Sequence, residues 1–140
     1  MGQIYAEIEL INGNDQVFVK RGDIGEDEIR RISVSALVDT GCTTMAINEN
    51  IQQVLQLPVV GKKTAQLANG KIVECAVVAP LEVRFKGRSA YCSGLVLPED
   101  AEPLLGAIPI EELNLLIHLN RQELILNPNE LVPMPTLKLS

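Results

Sequence analysis

The sequence predicts an all-β domain, and three observations carry that prediction. Apolar residues make up 46% of the 140 positions, yet aromatics are only 3% and Trp is absent. The core must therefore be built from Val, Ile and Leu, of which the β-branched members suit a pleated, half-buried surface. Apolar residues also recur at every second position in short runs, the period of a strand with one wet face. Finally, Asn-Gly and Lys-Gly pairs separate several of these runs, as hairpin turns do. A chain of this length forms one domain with a sizeable core.

In chain order, Ile4, Ala6, Ile8 and Leu10 alternate with Tyr5, Glu7 and Glu9 as a first strand. Asn12-Gly13-Asn14-Asp15 reads as a turn into Val17-Phe18-Val19-Lys20, which predicts a first hairpin. Residues 21–28, polar with two glycines, read as a loop, and Ile29 to Val38 as the strand leading into Asp39-Thr40-Gly41. Ile47, Ile51, Val54 and Leu55 fall at helical spacing, with Asn48 or Asn50 as cap and Pro58 as a stop. A second hairpin is expected from Lys63 to Val78, turning at Ala68-Asn69-Gly70-Lys71, and a third from Leu81 to Leu97, turning at Lys86-Gly87-Arg88.

Further on, Leu104-Leu105-Gly106-Ala107 precedes a helix with Pro109 at its first position and Glu111-Glu112 in its first turn. Leu115 to Leu119 and Glu123 to Leu126 form a last hairpin across Asn120-Arg121-Gln122. Residues 1–127 thus make the domain, and residues 128–140, with three prolines, an extended C-terminal tail. Strand, turn, helix and hairpin around Asp39 are echoed by strand (Gly94 to Leu97), turn, helix and hairpin around Leu105-Gly106. The second copy carries no aspartate.

Charge and composition exclude several function classes. A net charge of -6 argues against nucleic acid and anionic membrane as partners, since both require a cationic surface. The first residues lack a basic region followed by an apolar run, Ala6 stands where a myristoylation signal needs Ser or Thr, and no apolar run approaches a membrane span. Three widely spaced cysteines, Cys42, Cys75 and Cys92, fit neither a disulfide framework nor a zinc site, so a reducing cytoplasm is expected. The single histidine, His118, sits in an apolar run and reads as a strand residue. Without a phosphate-cradling glycine loop or a cluster at ligand spacing, no cofactor or metal is expected.

One stretch has the makings of a site. The apolar strand Val34, Ala36, Val38 ends in a single carboxylate, Asp39, followed by Thr40, Gly41 and a hydroxyl-rich continuation. This segment resembles the active-site loop of the retropepsin-like aspartic proteases. Three further marks of that family follow in its order: a hairpin tipped at Asn69-Gly70, the apolar-apolar-Gly signature Leu104-Leu105-Gly106, and a helix directly after it. The resemblance covers roughly residues 4 to 127 and implies a closed β-barrel, the acid protease fold, with one or two short helices.

The resemblance also implies a chemistry. Hydrolysing a peptide bond with water needs one group to take the water's proton and another to protonate the carbonyl oxygen. Two carboxylates in hydrogen-bond contact share one proton and serve both needs. With one Asp-Thr-Gly per chain, the second carboxylate must come from Asp39 of another copy, which makes a homodimer part of the expected mechanism. Thr40 would bond across the pair of loops, and Gly41 would let backbone N–H groups reach the carboxylates. The hairpin residues Leu67, Ala68, Asn69, Gly70 and Lys71, together with Leu105 and Gly106, are the expected contacts to an extended peptide or protein substrate. A catalytically silent dimer that binds extended peptides or protein partners is the alternative. Cys42 is either a weak donor supporting the ionised aspartate or a small core filler.

Overall fold

The computed structural model describes residues 2–67 and 69–128. Ala68 and the predicted tail beyond Pro128 lie outside the described residues. Nine strands are described: β1 (Tyr5–Asn12), β2 (Arg31–Val38), β3 (Met45–Asn48), β4 (Val59–Gln66), β5 (Ile72–Phe85), β6 (Arg88–Leu97), β7 (Leu104–Leu105), β8 (Leu115–His118) and β9 (Glu123–Leu126). Three short α-helices accompany them, α1 (Gly13–Lys20), α2 (Glu49–Leu55) and α3 (Ala107–Glu112), with a single 3-10 turn at Glu26–Glu28 in the stretch expected to be a loop.

The first seven strands form one sheet in the order β1-β2-β7-β3-β6-β5-β4. The strand β1 pairs twice. Its side chains Ala6 and Ile8 stand in register with Ala36 and Val34 of β2, while Leu10 stands opposite Val83 of β5. That double use closes six strands into a barrel, the acid protease fold, and leaves β4 outside it at the far edge. Inside, Ile8, Leu10, Met45, Ile47, Val83 and Leu105 are among the side chains of one aliphatic core, all at most 3% exposed. With two Phe in the whole chain, close packing here depends on branched aliphatic side chains interlocking.

The internal echo appears as crossed strand pairing. β2 runs parallel to β7 and β3 parallel to β6, so each half's first strand lies beside the other half's second. A helix then follows directly, α2 after β3 and α3 after β7, and a hairpin follows each helix. The hairpins at Asn69-Gly70 and Lys86-Gly87 form as expected, with Gly70 at φ +85° and Gly87 at φ +86°. The last hairpin, β8–β9, is a separate two-stranded sheet whose Leu115 and Leu124 enter the main core.

Two expectations are corrected. Residues 13–20 are not the second strand of a hairpin but helix α1, which raises the helix count above the one or two expected. Asn12 is the cause: its Oδ1 accepts from the backbone N–H groups of Asn14 and Asp15 at 2.9 and 3.2 Å, an N-cap rather than a turn. Asp15 then anchors the helix, taking bonds from the Arg30 guanidinium at 2.8 and 2.9 Å and from the Arg30 backbone N–H at 2.9 Å. The second correction is smaller. Helix α3 begins at Ala107, so Pro109 is its third residue; the backbone N–H of that position would in any case find no partner within the helix.

Candidate active site

β2 lies between β1 and β7 and is held from both sides up to its last residue. Leu37 N donates to Pro103 O at 2.9 Å, Val38 N to Ile4 O at 2.8 Å, and Asp39 N to Leu105 O at 3.0 Å. The strand therefore delivers Asp39 with its backbone fixed. The turn that follows fixes the side chain: Gly41 N donates to Asp39 Oδ1 at 3.0 Å and Cys42 N to Asp39 O at 3.1 Å. Gly41 suits this close turn, because a Cβ there would stand 3.1 Å from the bonded Oδ1. No hydrogen bond reaches Asp39 Oδ2 among the described residues, and the side chain is half-buried. Thr40 sits at the exposed tip of the turn.

The loop is braced from behind by the start of α3. Ala107 N donates to Cys42 O at 2.8 Å and Ile108 N to Thr43 O at 2.9 Å, so two N–H groups that the helix cannot satisfy internally are spent on the loop. Thr44 Oγ1 donates to Ser93 O, tying the loop's far end to β6. Gly106 makes the close approach possible. A Cβ on it would collide with the Thr44 carbonyl oxygen and lie 2.5 Å from that of Cys42.

A cleft of about 1130 Å³ opens beside the carboxylate. Asp39, Gly41, Cys42, Thr43 and Thr44 form one wall. Ala46, Leu95, Leu97, Ala101 and Leu104 give it an apolar lining, and Lys63, Ala65, Leu67 and Asn69 enter from the β4–β5 hairpin. Ala65, Leu67 and Val73 of that hairpin pack against Ala46, Cys75 and Leu97, so the hairpin is seated over this lining.

Of the residues expected to contact substrate, Leu67 and Asn69 line the cleft with Asp39. Gly70 and Lys71 form the exposed tip, where Leu67 N donates to Lys71 O at 2.8 Å and Asn69 Oδ1 accepts from Lys71 N at 2.9 Å. Leu105 and Gly106 are placed elsewhere: Leu105 is fully buried in the barrel core and Gly106 lies behind the loop. Leu104, the outward-facing member of that triplet, is the one lining the cleft. Sequence reasoning missed Leu104, Thr44 and Lys63. The alternation of Lys63, Ala65 and Leu67 was the signal available for the last.

Among the three thiols, Cys42 is the one at the cleft. Its Sγ donates to Thr44 O at 3.0 Å, so its single proton is committed to the backbone and not to the carboxylate. Burial pushes its pKa up, a hydrogen bond with the Thr44 backbone works the other way, and the nearby Asp39 adds to the rise. Burial also raises Cys75, and it pushes Cys92 up to about 11. None of the three has the electropositive setting of a nucleophilic thiol. No group of His, Cys, Asp and Glu among the described residues could hold a metal ion, and no helix there is long and apolar enough to cross a membrane.

No curated protein matches the sequence. A family model described as aspartyl protease matches residues 22–107, more than half of the chain and a span that contains the Asp39 turn, the hairpin over the cleft and the Leu104-Leu105-Gly106 triplet. Strand, turn, brace and cleft thus agree with the match: the chain belongs to the aspartyl protease family of the retropepsin-like clan.

Proposed function

We propose that the protein is an aspartic endopeptidase acting as a homodimer, in which Asp39 of each copy meets Asp39 of the other at a shared cleft. The observation that carries this reading is the state of the carboxylate. One oxygen of Asp39 is held by its own turn, the other takes no donor among the described residues, and an apolar cleft opens beside it. A single carboxylate so placed lacks the acid needed to protonate a leaving group, whereas a pair sharing one proton can activate water with one member and protonate the carbonyl oxygen with the other.

Thr40, exposed beside the carboxylate, would bond to the facing loop, and the β4–β5 hairpin would cover an extended peptide and exclude water. The three free thiols suit a reducing cytoplasm. The test is to incubate the purified protein with a mixed peptide library from about pH 4 to 7, with and without a statine-type transition-state mimic, beside Asp39→Asn. Cleavage that is blocked by the mimic, absent in the variant and second-order in protein at high dilution supports the reading. Cleavage retained by Asp39→Asn would overturn it, and peptide binding without cleavage would turn it into a silent binding module.

A further inference from the structure

The hairpin over the cleft carries one cation on its inner face. Lys63, Ala65 and Leu67 are alternate residues and so share a face, and the β4–β5 register sets Lys63 opposite Cys75 and Ala65 opposite Val73. Ala65, Leu67, Val73 and Cys75 all pack with Ala46 and Leu97, so the apolar side of the hairpin is the one seated on the cleft's lining, while Thr64 and Gln66 border the cleft from its edge. Lys63 continues that side past the apolar stripe and lines the cleft itself. Its neighbour Lys62, on the other face, pairs with Glu74 at 3.7 Å. Lys63 has no ion-pair partner among the described residues.

The other charges lining the cleft are carboxylates, Asp39 and Glu102. Glu102 belongs to the barrel side, just before β7. The cleft is thus apolar at its centre, negative toward the barrel and positive along the hairpin strand. A peptide lying along β4 in extended form presents every second side chain to this face, and the four residues from Leu67 to Lys63 span about 13 Å. Resting on the proposed function above, we infer that Lys63 makes the site select peptides with an acidic side chain two to four residues from the apolar residue at the cut. In a two-fold dimer two such lysines flank the scissile bond, so the preference holds on both sides.

The experiment is a sequence profile of peptides cleaved from a random library at about pH 6, where peptide carboxylates are ionised, by the wild type, Lys63→Gln and Lys63→Glu. Lys63 is exposed, so these variants retain the fold. The wild type is expected to enrich Asp and Glu at the flanking positions about threefold or more at low salt, with less enrichment at high salt. Lys63→Gln removes that enrichment and Lys63→Glu replaces it with Lys and Arg. Absence of acidic enrichment in the wild type, or its persistence in Lys63→Glu, overturns the inference while leaving the protease reading intact. Should nothing be cleaved, the peptides retained by the wild type and by Lys63→Glu are profiled instead. Inversion of charge preference between them supports selection by Lys63 and refutes cutting; no retained peptide overturns both.

Discussion

Replacing Gly106 by Ala adds one methyl group at the point where helix α3 presses on the Asp39 loop. Its φ of -92° is open to any residue, so the cost is collision and not backbone strain. The new Cβ would meet the Thr44 carbonyl oxygen head-on and lie 2.5 Å from the Cys42 oxygen and 2.9 Å from the Thr44 carbonyl carbon. All three are backbone atoms, so no side-chain rotation relieves the contact. Restoring an ordinary separation means moving helix and loop apart by roughly 1 Å, which breaks the 2.8 and 2.9 Å bonds from Ala107 and Ile108. Two lost hydrogen bonds at about 1 kcal/mol each, with about 1–3 kcal/mol of overpacking, give roughly 3–5 kcal/mol. At a urea dependence of about 1–3 kcal/mol per molar, the unfolding midpoint by circular dichroism falls by about 1 M or more. Gly70→Ala is the control. It has φ +85° but nothing among the described residues within 4 Å of the added methyl, so it costs about 1 kcal/mol. A Gly106→Ala midpoint equal to wild type, or a Gly70→Ala loss as large, would refute the reasoning.

Four further outcomes follow from the same structure. Thr44→Val removes the hydroxyl that ties the loop to Ser93 and leaves that carbonyl without its donor, lowering stability by about 1–2 kcal/mol in urea; an unchanged midpoint would deny the tie. Cys42→Ser leaves the acid limb of the pH-rate curve where it is, because the thiol proton is engaged by Thr44 O; a limb displaced downward would show that position 42 supports the carboxylate instead. Asn12→Ala uncaps α1 and also strips Leu55 O of its 2.8 Å donor, at about 2 kcal/mol or more, measured as a thermal shift. The fourth concerns acid. Arg30 holds the buried Asp15 below its ordinary range; at Glu82 burial pushes upward, but donors from Ser89, Arg84 and Gln16 outweigh it and the net shift is down. Stability from these groups is complete above their unfolded values near 4 and is lost as pH falls through their folded ones, so the urea midpoint declines below about pH 5. Asp15→Asn and Glu82→Gln flatten that decline, and an equally steep profile in both would contradict it.

Local chemistry made much of this architecture legible. The hairpin at Asn69-Gly70 needs left-handed backbone at Gly70 and that at Lys86-Gly87 needs it at both residues, and a glycine stands in each turn to adopt it. The strand before Asp39 could be read from Val34, Ala36 and Val38, which face the core that the alternation implied. The helix after Ile47 was legible because Asn48 both precedes the periodic residues and has the side chain to cap Ile51 N, at 2.8 Å. For the turns and the helix cap the deciding interaction lies within a few residues of the sequence that announces it.

Where sequence reading went astray, the deciding partner is distant. Asn12 looks like a turn residue until its two ends are followed: Oδ1 starts α1 while Nδ2 donates to Leu55 O, the carbonyl ending α2. One buried side chain thus opens the helix beside it and closes another 43 residues away, and β-prone Val17-Phe18-Val19 follows the cap into a helix that Arg30 anchors through Asp15. The same holds at the cleft. Leu104 and Leu105 are equivalent in the sequence, and only the pairing of β7 between β2 and β3 decides that Leu105 points into the barrel while Leu104 faces the cleft. That pairing is set by residues from both halves at once. The site is therefore a product of the crossed strands: β2 brings the carboxylate, and the other half supplies the α3 brace that holds its loop and much of the apolar lining.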